Sequence, residues 1–479
     1  MENKRDSWGS NLGFILAAVG SAVGLGNIWG FPYKMGKSGG FTFLIAYLLL
    51  AVFVGFVVMI SELAMGRHVG KGVIGCYHTL SKKFKWVGWL AVFSPFIIMS
   101  FYSVLGGYCI EYMALNMSNL AFAGAEISAG ADLFTSMLMN PFGNVIFTIL
   151  FLVICYLINR GGISGGIEKF NKVGMPALFV MLVIVIIRSL TLDGAVEGLK
   201  FMFVPGYAVE GGFIAEEPNF ITVLATAGGQ MFFSLSLGAG VMITYGSYLD
   251  KKQDLGKSTM IIVGMDTVVA LMAGLCVIPG RFALDPNGAL GGPELLFITM
   301  QNVFDKMGPA GPVFGILFYL LVFFAAISSS ISMLEVIVAH FCDKAREKGK
   351  GDRRKLYSAI AVVICAALCA LVCADGMGSN HISPAELLGL AGAKLPGWST
   401  SWLGLFDSVA EGLLMPLGAL LMCLMISWEL KPDALRQEIL LNGENRPWVY
   451  DFFRLCVKYI TPLCMLMILY GQISDFFIV

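Results

Sequence analysis

The stretch Gly20-Ser21-Ala22-Val23-Gly24-Leu25-Gly26-Asn27-Ile28-Trp29-Gly30-Phe31-Pro32 interrupts a long apolar segment with four glycines, an asparagine and a proline. A soluble helix gains nothing from such a break. Inside a bilayer, every backbone N–H and C=O left without water must find a partner, so unwound chain survives only where it is buried in protein or lines a polar cavity. The break therefore marks a candidate site for a substrate or an ion.

The surrounding composition is that of a membrane protein. Of 479 residues, 57% are hydrophobic and 13% charged, and the mean hydropathy is +0.79, which excludes an ordinary soluble domain. Apolar segments of about 20 residues, enough to cross roughly 30 Å of hydrocarbon, are read near 10–35, 41–66, 87–115, 143–159, 167–190, 219–248, 258–280, 310–340, 355–374, 402–428 and 449–476. All but seven of the 32 Lys and Arg (Lys34, Lys37, Arg188, Lys200, Arg281, Lys306 and Lys394) fall on the side of the N-terminus, including Lys82, Lys83, Lys85 and the run from Lys344 to Lys355. The positive-inside rule makes that side cytoplasmic, and eleven spans then put the C-terminus outside. The first apolar run is too long and too interrupted for a cleaved signal peptide.

The formal net charge is zero, and no nucleic-acid partner is expected. Most of the eleven cysteines lie inside spans without paired metal spacing, and they read as small apolar packing residues. Cys365, Cys369 and Cys373 share one helix face, but no His or carboxylate joins them. His68, His78 and His340 belong to cytoplasmic ends and His381 to an outer loop. With neither a metal centre nor a nucleophile–base pair, the sequence does not read as an enzyme.

A second broken span, Gln230-Met231-Phe232-Phe233-Ser234-Leu235-Ser236-Leu237-Gly238-Ala239-Gly240, mirrors the first. Interrupted segments at corresponding positions, spans 1 and 6, point to an inverted repeat with its site near the bilayer midplane. The expected organisation is a first five-span repeat over 1–190, a second, inverted one over 219–428, and an eleventh helix over 449–476. Small residues also let membrane helices pack closely, a second reading for Gly20 and Gly24. It leaves Asn27, Ser234 and Ser236 beside the breaks unexplained. The longer outer loops, at about 116–142, 191–218, 281–309 and 375–401, are candidates for a lid, and Pro293-Glu294-Leu295-Leu296-Phe297 predicts a short helix.

With these residues in view, the chain resembles the neurotransmitter:sodium symporters, and among them the eleven-span bacterial amino-acid transporters with the leucine-transporter fold. The resemblance runs from Trp8 to about Tyr470. It is carried by Trp8-Gly9, Gly24-Leu25-Gly26-Asn27-Ile28-Trp29, Phe31-Pro32-Tyr33, Glu62-Leu63-Ala64-Met65-Gly66-Arg67, Ser234-Leu235-Ser236-Leu237-Gly238, Ile243-Thr244-Tyr245-Gly246-Ser247-Tyr248, Ser328-Ser329-Ser330 and Tyr459-Ile460-Thr461-Pro462. The resemblance implies an all-α membrane protein with an inverted five-plus-five repeat and broken first and sixth helices.

It also implies two sodium sites, for a hard cation takes oxygen ligands and unwound helix supplies free carbonyls. One would use the Ala22 carbonyl, Asn27, Ser234, the substrate carboxylate and Asp266 of span 7, where the register is fixed only to within one residue. The other would use the carbonyls of Gly20, Val23 and Ala325 and the hydroxyls of Ser328 and Ser329. Asp266 is informative on physical grounds too, since a carboxylate inside a span costs at least ~2.5–3.5 kcal/mol on insertion scales. It can supply the negative charge that chloride supplies in other members, so no chloride requirement is expected.

For the substrate, the family pattern implies an amino acid whose carboxylate meets the half-helix ends at Gly24 and Gly26 and the hydroxyl of Tyr102. Phe233 would lie above it, and Ala22, Ile98, Ser236, Ala239, Ser329 and Met333 would line the pocket. Ala239 stands where the leucine transporter of the family carries phenylalanine, which leaves room for a bulky apolar or aromatic side chain. The cytoplasmic gate would comprise Arg5, Trp8, Ser247, Tyr248 and Asp343. On the outer side, the family arginine is replaced by Gly30 and the family aspartate by Ala410. Closure by Phe233 and Gln230 without a salt bridge is the expectation there. The function so implied is sodium-coupled amino-acid import by alternating access, in a bacterial cytoplasmic (inner) membrane, by a monomer or homodimer. The alternative is an amino-acid sensor on the same scaffold.

Overall fold

A computed structural model describes residues 6–121, 130–285, 292–351, 353–390, 397–441 and 447–477. Helices dominate, and there is no strand among the described residues. Among the described residues, nine helices are long and apolar enough to cross a membrane: Phe41–Val69, Val87–Ala121, Pro141–Asn159, Ile163–Leu190, Leu255–Leu284, Gly308–Glu347, Arg354–Asp375, Trp402–Leu430 and Pro447–Ser474. A tenth span is the pair Asn11–Ala22 and Gly26–Lys37, bent by 46°. The eleventh, sixth in chain order, is Phe220–Ser234 continued after a gap by Val241–Gly246. Numbered in chain order as spans 1–11, they match the apolar segments read from sequence. The faces assigned above to cytoplasm and exterior are called inner and outer.

The first break has a backbone cause. Val23 leaves the helix into extended conformation, φ −76° and ψ 97°, and the chain resumes as a wide π turn over Gly26–Gly30. Similar wide turns cover Ser408–Leu414 and Cys456–Ile460. In each case a proline follows closely (Pro32, Pro416, Pro462), and the residue four before it lies within the wide turn. Proline lacks an N–H and its ring crowds the carbonyl four residues back. A wide turn relieves that clash without breaking the helix.

The second break is held from outside. Ser236, Gly238 and Gly240 all have positive φ, at 53°, 75° and 68°. The fully buried Glu62 of span 2 accepts the Gly238 N–H at 2.7 Å. Its carboxylate thus satisfies an N–H group that unwinding would otherwise leave bare in lipid. A Cβ on Gly238 would lie 2.2 Å from the Met415 carbonyl oxygen, so this position needs glycine for space as well as for φ.

On the outer face, the loop between spans 7 and 8 carries a helical turn, Leu295–Thr299, and then Met300–Asp305. Phe297 stacks on Phe134 of the outer helix Gly130–Leu138 at 5.8 Å and on Tyr319 of span 8 at 6.0 Å, and its ring lies 5.0 Å from that of Tyr112 of span 3, which anchors the loop helices over spans 3 and 8. All eleven cysteines are unpaired, and all but Cys464 are buried, in keeping with a packing role.

Candidate functional site

The two breaks face each other. Both the Ser236 hydroxyl of span 6, at 3.0 Å, and the Ser329 hydroxyl of span 8, at 3.1 Å, donate to the Ser21 carbonyl at the end of the first half-helix. Tyr102 of span 3 reaches the other side of the gap: its hydroxyl accepts the Leu25 N–H at 2.7 Å and lies, with that of Ser329, against Gly24. The Phe233 ring lies 6.2 Å from that of Tyr102, edge on.

Between them is a cavity lined by Ala22, Gly24, Gly26, Ile98, Tyr102, Phe233, Ser236, Ala239, Ser329 and Met333, together with Met415. The structure brings together every residue that the sequence placed in the pocket. Met415, from span 10, was missed: it is an apolar residue on an apolar helix and carries no signal of its own. One end of the cavity is polar, with helix ends and hydroxyls, and the other is apolar, with Ile98, Ala239, Met333 and Met415. A cation and a zwitterion can meet at the first end while a side chain enters the second.

Beside the break is a buried polar cluster. Asp266 is fully buried. It accepts from Asn27 Nδ2 at 2.7 Å, from the Ser234 hydroxyl at 2.9 Å and from the Tyr47 hydroxyl at 3.2 Å. At the one-residue ambiguity in span 7, it is Asp266 itself that faces Asn27 and Ser234. Tyr47 was not foreseen, because a tyrosine in an apolar span looks like packing until its partner is known. Ala22 lines the adjoining cavity.

The second expected group of oxygen atoms is brought together in part. Ser328 donates to the Ala325 carbonyl at 2.9 Å and lies 3.5 Å from the Val23 carbonyl, so these three residues meet. Ser329 is turned toward Ser21 and Tyr102 instead. Gly20 faces span 5, where an added Cβ would lie 2.0 Å from Asn171 Oδ1. Close packing therefore explains Gly20, whereas a Cβ on Gly24 would strike Ser329 and Tyr102, inside the site.

At the inner face, Trp8 Nε1 donates to the Tyr245 carbonyl at 3.1 Å, and the two rings lie 5.0 Å apart. Ser247 donates to the Thr244 carbonyl at 2.6 Å. Tyr248 donates to Glu335 at 2.7 Å, while Asp343 accepts the Gly72 N–H at 2.8 Å. Arg5 lies outside the described residues. The centre of this face is a network that the sequence reading did not anticipate: Glu335, fully buried, pairs with Arg354 and accepts from Asn159, and Arg354 reaches Asp6 at 3.1 Å. Glu335 carried the same signal as Asp266, a carboxylate within a span. E335Q should lower the stability of the protein by about 3 kcal/mol, since removing one partner strands a buried charge. An unchanged thermal midpoint would refute the importance of this pair.

The outer side departs from expectation. An ion pair is present there after all, between Lys34 of span 1 and Glu411 of span 10. Gln230 donates to the Gly26 carbonyl at 2.6 Å, and its Oε1 lies 2.6 Å from where a Cβ on Gly30 would sit. Position 30 is thus kept small by Gln230, and the cation is carried one turn further out.

Comparison with known proteins accords with this geometry. The model of the "Sodium:neurotransmitter symporter family" matches residues 5–132 and 134–477. An uncharacterised sodium-dependent transporter of Bacillus subtilis is 34% identical over 99% of this chain and 99% of its own length. One of Methanocaldococcus jannaschii is 32% identical over 91% of this chain and 84% of its own. The crystal structure of MhsT in complex with L-phenylalanine superposes with a TM-score of 0.82 at 34% identity, covering 98% of this chain and 100% of that one. The chain belongs to the sodium:neurotransmitter symporter family and is a sodium-dependent membrane transporter, not an enzyme.

Proposed function

We propose that the protein imports an amino acid with a bulky apolar or aromatic side chain, coupled to two sodium ions and without chloride. The observation that carries this reading is the cavity at the paired helix breaks, with Asp266, Asn27 and Ser234 clustered beside its polar end. The α-carboxylate would face the N-terminal end of the second half-helix at Gly24 and Gly26, where N–H groups and the helix dipole favour an anion. Sodium would sit between that carboxylate and Asp266, so the fixed charge of Asp266 takes the place of chloride. Val23, Ala325 and Ser328 would contribute to the second ion site, with Gly20 and Ser329 as its remaining expected ligands.

Substrate size follows from the apolar end. Ala239 lines the cavity together with Met333 and Met415, and thioether side chains change rotamer readily to admit a ring. The solved relative MhsT is described as a complex with L-phenylalanine, which supports the same class here. A239F should therefore weaken an aromatic substrate by about tenfold or more while sparing alanine, since pocket volume is worth about 1–3 kcal/mol per methylene. Equal losses for both substrates would remove the size argument.

The deciding experiment is uptake of radiolabelled amino acids into proteoliposomes with and without an inward sodium gradient. Sodium-driven accumulation above equilibrium, unaffected when gluconate replaces chloride, is the expected result. Two sodium ions and a zwitterion carry net charge inward, each charge gaining ~2.3 kcal/mol per 100 mV, so an inside-negative potential should speed uptake. Binding without accumulation would favour the sensor reading, whose motive was the missing outer pair and which the Lys34–Glu411 pair weakens.

A further inference from the structure

Span 10 carries two carboxylates one helical turn apart, Asp407 and Glu411, and both line an outer vestibule of about 440 Å3 with Lys34, Lys37 and Tyr33. That vestibule shares no lining residue with the substrate cavity. Glu411 holds Lys34, and their side chains are 4% and 14% exposed. Asp407 lies within electrostatic reach of both, yet no ion pair or hydrogen bond engages it among the described residues. Lys37 is occupied elsewhere, over the Tyr33 ring at 5.4 Å. Glu411 also touches the break-bearing span: a Cβ on Gly229 would lie 3.1 Å from its Oε1.

We propose that Lys34 is a two-seat outer latch, paired with Glu411 when the outer path is shut and with Asp407, one turn outward, when it opens. This rests on the alternating-access reading above. A lysine drawn out of a nearly buried pair before the vestibule has widened enough to hydrate it would strand its charge at a cost of several kcal/mol. A second carboxylate about 5–6 Å along the same helix face keeps it paired throughout the stroke. Glu411, once released, is wetted by the widening vestibule. Two discrete seats also give two discrete packings, which is how a small helix shift becomes a switch. The arrangement replaces what Gly30 and Ala410 cannot provide.

The test is labelling of T226C, in the same vestibule, with a membrane-impermeant maleimide. The reconstituted full-length protein is labelled in potassium, in sodium, and in sodium with L-phenylalanine. Relative to the T226C parent, E411Q should raise the slowest of the three rates about tenfold, and D407N should lower the fastest about tenfold, by removing one seat of a two-state equilibrium. K34R should keep the spread of rates and K34M collapse it, while K37Q changes nothing. If E411Q does not fold, E411D, with a shortened seat, should shift the rate in the same direction. A parent with equal rates in all three media, E411Q or D407N rates matching the parent in protein that keeps its sodium-dependent thermal shift, or K37Q behaving as K34M, would each overturn the latch. Wild-type protein that shows the labelling pattern but never accumulates amino acid would refute symport and leave the latch standing.

Discussion

D266N is expected to reduce sodium-dependent uptake about 100-fold and to raise the sodium concentration for half-maximal uptake, with little loss of folded protein. Asparagine keeps the shape, and its one oxygen, in the place of Oδ2, can still accept from Ser234 and Tyr47, which bond that oxygen at 2.9 and 3.2 Å. What disappears is the negative charge and the side-chain acceptor of Asn27, which keeps the Asp266 backbone carbonyl at 3.2 Å. A cation bound beside Asn27 in a fully buried site then lacks its fixed counter-charge, and loss of one partner of a buried charge pair costs about 3–5 kcal/mol. A hundredfold effect, ~2.7 kcal/mol, is a conservative share of that. The check is sodium titration of both uptake and thermal stability in wild type and D266N. An unchanged half-saturation would show that Asp266 is a structural acceptor for Tyr47 and Ser234 and nothing more.

Asp266 also shows why so much of this site was legible. A bilayer makes every polar departure in an apolar run expensive, so Asn27, Asp266, Ser234 and the glycines around them each demanded an explanation before any contact was known. The breaks were readable for the same reason. Glu335 met this criterion equally well, but its partner Arg354 belongs to the basic run at 344–355 and looked like an ordinary inner-face charge. Lys34 and Glu411 lie 377 residues apart in sequence, and although Asp407 and Glu411 were visible beside position 410, attention to position 30 passed over Lys34 one turn further on. The wide turns before Pro416 and Pro462 were invisible because they alter hydrogen bonding without altering hydropathy. Met415 completes the cavity through tertiary packing alone.

G24A is the sharpest test of whether the first break is a binding site or only a place where helices approach. Its backbone is not in the positive-φ region, so alanine imposes no conformational strain there. The added Cβ would lie 2.4 Å from both the Ser329 hydroxyl and the Tyr102 hydroxyl. Each is already committed, Ser329 to the Ser21 carbonyl at 3.1 Å and Tyr102 to the Leu25 N–H at 2.7 Å, so neither can yield without losing a buried hydrogen bond. Overpacking costs about 1–3 kcal/mol, and each stranded polar group about 1–3 kcal/mol more. The methyl group also enters the polar end of the cavity, where the substrate carboxylate is proposed to rest. Substrate affinity should therefore fall at least about 100-fold, ~2.7 kcal/mol, as read by L-phenylalanine-dependent thermal shift in saturating sodium. G264A, in span 7, where nothing lies within 4 Å of the added Cβ, should leave that shift intact. If Gly24 served only close packing, G24A would lower the thermal midpoint and leave the ligand-induced shift at its wild-type concentration dependence. A selective loss of the ligand response is what a half-helix end built to hold a carboxylate requires.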